Sequence, residues 1–239
     1  MLSILLLGLL LGLQHAAEAD HLAAVASLAT RSKGLRDAAR HGSAWGLGHA
    51  LTLLLFGGAV LLIDGMISDR LALWLETAVA LMLIALGIDV LWRLWRRRVH
   101  FHVHSHGDQH HFHAHSHSAR TDHARDPHRH THPQYLPLRS LIVGMMHGMA
   151  GSAALIVLAL GSVQSLWQGL AYIAVFGLGS IIGMSLLAIA ISMPLRWSAN
   201  SLTWAHNGMT LALGLATVTI GGLLLQQTTL SLLAGGISG

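Results

Sequence analysis

Six long apolar runs constrain this chain before anything else. At roughly 2–30, 42–63, 71–92, 138–160, 165–192 and 204–225, each is long enough for the about 20 residues that a helix needs to cross a bilayer. In hydrocarbon a backbone must satisfy its own hydrogen bonds, so such runs fold as helices packed on one another. Composition agrees, with 53% hydrophobic residues, 10% charged residues and a mean hydropathy of +0.58. The formal charge of +4 comes almost wholly from arginines between the runs, so it speaks for membrane topology and not for nucleic acid. Cysteine is absent, which excludes disulfides and thiolate ligands. Leu2 to Leu13 followed by Ala17-Glu18-Ala19 has the outline of a secretory signal, but it lacks a basic n-region and reads as the first span.

Basic residues are distributed unequally between the runs. Arg31, Lys33, Arg36 and Arg40 follow the first, eight arginines from Arg93 to Arg139 follow the third, and Arg196 follows the fifth, while the alternate loops hold only Arg70. The positive-inside rule places the first, central and fifth loops in the cytoplasm and both termini outside. Trp92, Trp95, Trp167, Trp197 and Trp204 stand near the expected helix ends, as an interfacial aromatic belt requires.

The halves overlay at an offset of about 130 residues. Gly12-Leu13-Gln14-His15 matches Gly144-Met145-Met146-His147, Gly46-Leu47-Gly48-His49 matches Gly177-Leu178-Gly179-Ser180, and Ala85-Leu86-Gly87 matches Ala212-Leu213-Gly214. With three helices per half, the second half enters the membrane in the opposite sense. The expected fold is an all-α integral membrane protein of six transmembrane helices. Two inverted three-helix repeats, 1–99 and 138–239, are joined by a long His-rich cytoplasmic loop, 100–137. Glycine pairs at GxxxG spacing, Gly8/Gly12, Gly144/Gly148 and Gly179/Gly183, predict close helix crossings.

Within the first run lies Gln14-His15-Ala16-Ala17-Glu18-Ala19-Asp20-His21. An ionisable residue at the centre of a membrane helix costs about 2.5–3.5 kcal/mol on insertion scales, so such a cluster faces a cavity or a partner helix and marks a functional site. Imidazole with carboxylate suits nickel, cobalt, zinc or iron. On a regular helix His15, Glu18 and His21 share one face and Asp20 turns away. Asp20 therefore either fixes a histidine on a neighbouring helix or acts where the helix is broken. A plain polar helix end is disfavoured, because apolar residues resume at Leu22 and run to Leu28.

His49 and His147 fall in the repeat frame and are expected at the same cavity. His206 and Asn207, near the fifth loop, read equally well as interfacial, and Asp89 as a helix-end charge paired with Arg93 at i+4. Between residues 100 and 132 there are thirteen histidines, including His100, His102, His104, His106, His110, His111, His113, His115 and His117. This stretch cannot bury a core and is expected to be disordered without metal, binding divalent ions loosely as an accessory.

The His15-to-His21 segment resembles the His, four residues, Asp-His signature of the nickel/cobalt transporter family, and Gly46 to His49 resembles the Leu-Gly-His of its next helix. Residues 144–155 and 176–184 look like the urease-accessory type of nickel permease in the same superfamily. The resemblance implies transport of nickel(II), and of cobalt(II), with His15, Asp20, His21 and His49 as metal-handling positions. Glu18 stands where that family commonly has Asp, and the His-rich loop is similar to that of its efflux members.

The reading is thus a carrier and not an enzyme, in a bacterial inner membrane, with uptake favoured over efflux. The metal is cargo and no prosthetic group is expected; Glu18 and His147 complete the candidate ligand set. Partners are the ion and the bilayer, with a second copy or a cytoplasmic metallochaperone left open. A zinc carrier and a membrane metalloenzyme built on the same His/Asp cluster are the alternatives, although no HExxH motif occurs. Topology is testable: a reporter fused near Asp122 should read cytoplasmic and one fused beyond Gln227 external, and a shared side would overturn both the six-span count and the inverted repeat.

Overall fold

The computed structural model of the chain describes residues 2–32, 34–63, 68–96, 100–106, 109–115, 137–149 and 165–235. Its helices are α1 (Leu2–His15), α2 (Ala19–Ala29), α3 (Leu35–Ile63), α4 (Asp69–Arg96), α5 (138–149), α6 (Leu166–Ser201) and α7 (Thr203–Gly235). Four of them, α3, α4, α6 and α7, are long and apolar enough to cross a membrane. The fourth run begins as α5, and its continuation beyond residue 149 lies outside the described residues.

The first run is not one helix. Helix α1 ends at His15, and α2 restarts at Ala19 after Glu18 adopts an extended backbone (φ −63°, ψ 151°). Between them the amides tighten: Ala17 donates to the Gln14 carbonyl at 2.9 Å and Glu18 to the His15 carbonyl at 3.1 Å. Local propensity does not cause this break, since Ala-Ala-Glu-Ala is strongly helix-forming. Packing holds it. Ala16 is fully buried, with its methyl against Gly183 of α6.

Helix α3 packs chiefly on α6, α4 on α7, and α1 on α6. Glycines set these crossings. A Cβ on Gly12 would strike the Phe176 carbonyl, one on Gly179 the Leu9 carbonyl, one on Gly48 the Leu141 carbonyl, and one on Gly144 the Trp45 carbonyl. Backbones at α1/α6 and α3/α5 thus touch directly, as small-residue membrane interfaces allow. The buried centre joins Ala24, Val25, Trp45, Leu83, Val143 and Met184 from five helices. The five belt tryptophans are all exposed, from 50% at Trp92 to 79% at Trp167.

At one end of the bundle Asp89 gathers three arginines. Its Oδ2 accepts from Arg31 at 2.5 Å, Arg93 at 3.2 Å and Arg139 at 3.3 Å. The expected Asp89–Arg93 pair is present, and the carboxylate also ties the end of α2 to α4 and α5. Arg31, Arg93 and Arg139, which the charge pattern assigns to one side, therefore lie at one end of the molecule.

Within the His-rich stretch the described residues form a two-stranded ribbon. His100–His106 (β1) pairs antiparallel with Gln109–His115 (β2), from His100 opposite His115 to His106 opposite Gln109. Strict alternation in His100-Phe101-His102-Val103-His104 has the period of two that a strand needs. Residues 116–136, including His117, lie outside the described residues.

The glycine crossings can be tested in detergent. Gly12→Ala should lower the unfolding temperature by the equivalent of ~1–3 kcal/mol through overpacking against α6. Gly222→Ala, with no heavy atom within 4 Å of the new methyl, should be neutral or raise it.

Candidate metal centre

The break in the first span brings its polar residues together. His15 ends α1, Glu18 caps α2, and Asp20 and His21 occupy the first turn of α2, where a carboxylate complements the helix dipole. Opposite them, α3 supplies His49 and α5 supplies His147. All four histidines are buried, at 8% exposure for His15 and no more than 1% for His21, His49 and His147. His21 is central: its ring centroid lies 4.3 Å from His15, 5.1 Å from His49 and 4.1 Å from His147.

Two carboxylates fix the tautomers. Asp20 Oδ1 lies 2.9 Å from His21 Nδ1 and also accepts the His21 backbone N–H at 2.8 Å, while Oδ2 lies 3.0 Å from His147 Nε2. Glu18 Oε1 lies 2.9 Å from His15 Nδ1. An ionised carboxylate only accepts, so each ring nitrogen facing one carries the proton, and in a neutral ring the other nitrogen is a lone pair. Among the described residues, those other nitrogens, His15 Nε2, His21 Nε2 and His147 Nδ1, are buried with no hydrogen-bond partner, as are both nitrogens of His49. Leaving a buried polar group unmet costs about 1–3 kcal/mol. Carboxylates behind imidazoles whose free nitrogens converge are the arrangement that orients histidines toward a metal ion.

Among the described residues, two sets of side chains have ligand atoms within 4.8 Å of one another: His15, His21 and His49, and Asp20, His21 and His147. No thiolate is available, and nitrogen with carboxylate favours the borderline divalent metals. The regular-helix reading, which turned Asp20 away from the site, is corrected here. Because α2 starts afresh at Ala19, Asp20 reaches both its neighbour His21 and the facing helix α5. Both of the roles weighed for it from sequence, a broken helix and a neighbouring histidine, occur together.

His206 does not join the centre. Its Nδ1 lies 3.0 Å from the Leu195 carbonyl, and it lines a small recess with Thr30 and Arg93 at the arginine end. In the repeat frame Ser180 stands where His49 does, but its hydroxyl donates to the Phe176 and Gly12 carbonyls at 3.1 and 3.3 Å. The ribbon histidines belong to β1 and β2 and the sequence outside the spans.

Trp45 was missed. It is fully buried, with its ring 5.5 Å from both His21 and His147 and its indole N–H without a partner among the described residues. Its position one helical turn before His49 was the available signal. Phe176 of α6 closes the other side, 5.2 Å from His15.

A family model described as cytochrome C biogenesis protein transmembrane region matches residues 3–223, a span containing the whole centre. The chain belongs to that family. Within this family membership it is also 35% identical over 221 residues to urease accessory protein UreH of Bacillus sp. (strain TB-90), covering 92% of this chain and 90% of that protein. No solved structure matches the chain. Thiol–disulfide chemistry is closed to this member, because it has no cysteine.

Proposed function

We propose that this protein carries divalent nickel, and cobalt as a related cargo, across the bacterial inner membrane, with uptake favoured over efflux. The observation that carries the reading is the set of buried, unpartnered imidazole nitrogens at His15, His21, His49 and His147, backed by Glu18 and Asp20 at the break between two half-length helices. Discontinuous helices lining a polar site are a recurrent feature of secondary transporters. The likeness to a urease accessory protein over nearly the whole chain and the His15-to-His21 signature both support nickel among the metals that imidazole accepts.

Supporting the inverted repeat, the glycine crossings are paired across the halves. Gly12 against Phe176 corresponds to Gly144 against Trp45, and Gly48 against Leu141 corresponds to Gly179 against Leu9, at offsets of 131 to 132 residues. On this reading the arginine end is cytoplasmic, and the histidines of residues 100–132 collect ions there as an accessory to the path.

Radiotracer nickel flux into proteoliposomes, with cobalt and zinc as competitors, tests the proposal and separates a carrier from a metalloenzyme. His15→Ala and His21→Ala should abolish flux in a protein that still inserts and folds. Asp20→Asn should be milder, about 10- to 100-fold, as expected for a group that orients ligands. Near-normal flux in His15→Ala would remove the site assignment. Deleting residues 100–132 should strip most weakly bound nickel from the purified protein and leave measurable flux; complete loss of flux in a folded deletion would place the loop on the path.

A further inference from the structure

Two aromatic rings flank the histidine centre, at places that match between the two halves of the chain. On α3, His41, Trp45 and His49 follow at four-residue spacing and share a face; 131 residues later Tyr172, Phe176 and Ser180 do the same on α6. The facing helices correspond as well, since Gly8, Gly12 and His15 of α1 recur 132 residues later as Ser140, Gly144 and His147 of α5. The Phe176 carbonyl abuts Gly12 and the Trp45 carbonyl abuts Gly144, each glycine three places before a histidine of the centre. Trp45 lies 5.5 Å from the rings of His21 and His147, and Phe176 lies 5.2 Å from that of His15. Both are buried.

The two rings stand on opposite sides of the centre along the bundle. Helix α3 begins at the arginine end, where Gly34 meets Arg196, and reaches Trp45 one turn before His49. Helix α6 runs the other way and passes Arg196 near its close, so Phe176 is about 30 Å from that end along the helix, whereas Trp45 is about 15 Å along α3.

We propose that Trp45 and Phe176 are the two gates of a path through the centre, Trp45 closing it from the arginine end and Phe176 from the opposite end. This inference rests on the transport reading and adds the route by which the ion enters and leaves. Both rings are in place in this conformation, and alternating access requires that one at a time move aside.

Polar groups lie directly beyond each ring, where an ion passing it would need them. Behind Trp45, His41 Nδ1 lies 2.7 Å from Ser140 Oγ, again joining α3 to α5, and Asp37 is 4.0 Å from His41 Nε2. Behind Phe176, the buried Tyr172 hydroxyl has no partner among the described residues. A phenylalanine there would fill the same space without stranding a polar atom, so packing alone does not account for the hydroxyl. Two rings that merely filled the core would be expected to have apolar neighbours on the side away from the centre.

The chain has no cysteine, so one introduced thiol can report from within the centre. His49 is the place for it, because it makes no hydrogen bond among the described residues and its replacement strands no partner. In His49→Cys, labelling by a membrane-impermeant methanethiosulfonate should be slow from either face of oriented membrane vesicles. Adding Trp45→Ala should speed labelling only from the face at the arginine end, which the charge pattern makes cytoplasmic, and adding Phe176→Ala only from the other face. A gate open in about 10% of molecules or fewer leaves a gain of at least about tenfold on its removal. Trp45→Leu and Phe176→Leu replace alanine variants that do not fold, and Ser180→Cys, at the matching place in α6, replaces a reporter that does not, with the same expectations.

A gain at the wrong face, at both faces or at neither would overturn the gates; equal gains at both faces are what a merely loosened bundle would give. The transport reading is judged separately. A wild-type protein that carries neither nickel nor cobalt refutes that reading, whereas the sided labelling needs no metal and decides the gates by itself.

Discussion

The Asp20 carboxylate is the contact on which the centre depends. One side chain binds the backbone and ring of His21 and the ring of His147, joining the start of α2 to α5 from a partly buried position. On the histidine side these bonds face an apolar interior, where loss of the carboxylate strands the buried ring N–H groups of His21 and His147. Asp20 can reach both rings only because the first span is interrupted. Its place in the opening turn of α2 frees the carboxylate from an intact helical surface and sets it at the positive end of a helix. The break, the carboxylate and the orientation of the histidines are therefore one structural device.

That device needs close backbones around it. Direct contact at Gly12, Gly48, Gly144 and Gly179 brings α1, α3, α5 and α6 near enough for imidazoles on three of these helices to share a centre with α2. Bulkier residues there would hold the helices apart, and rings as short as histidine's would no longer meet. At the far end of α2 and α5, Asp89 with Arg31, Arg93 and Arg139 joins the same two elements to α4. Helices α2 and α5 are consequently fastened at two levels, by Asp20 near the centre and by Asp89 at the end. Relative movement of the two helices has to disturb one or both.

The family assignment and the centre rest on different parts of the chain. The family model and the likeness to a urease accessory protein rest on most of the chain, including segments remote from the histidines. The centre rests on a few side chains whose ring nitrogens are buried and unpartnered among the described residues. With no cysteine in the chain, those nitrogens and two carboxylates are what the described residues of the centre offer to a ligand.

Much was determined by the sequence alone, for physical reasons that act locally. Long apolar runs permit helices and little else in a bilayer, the arginine pattern groups Arg31, Arg93 and Arg139, and histidine with carboxylate inside a span marks a site. Tertiary structure decided the rest. Ala-Ala-Glu-Ala favours a helix, so only packing of Ala16 against Gly183 and the bonds of Glu18 and Asp20 to histidines make the break stable. The approach of His147 to Asp20 across 127 residues, the burial of Trp45 over the rings and the convergence of three arginines on Asp89 arise from helices that are distant in the chain. Periodicity within a segment reports which face of a helix is apolar; which residue of another helix meets that face is fixed only when the backbones pack.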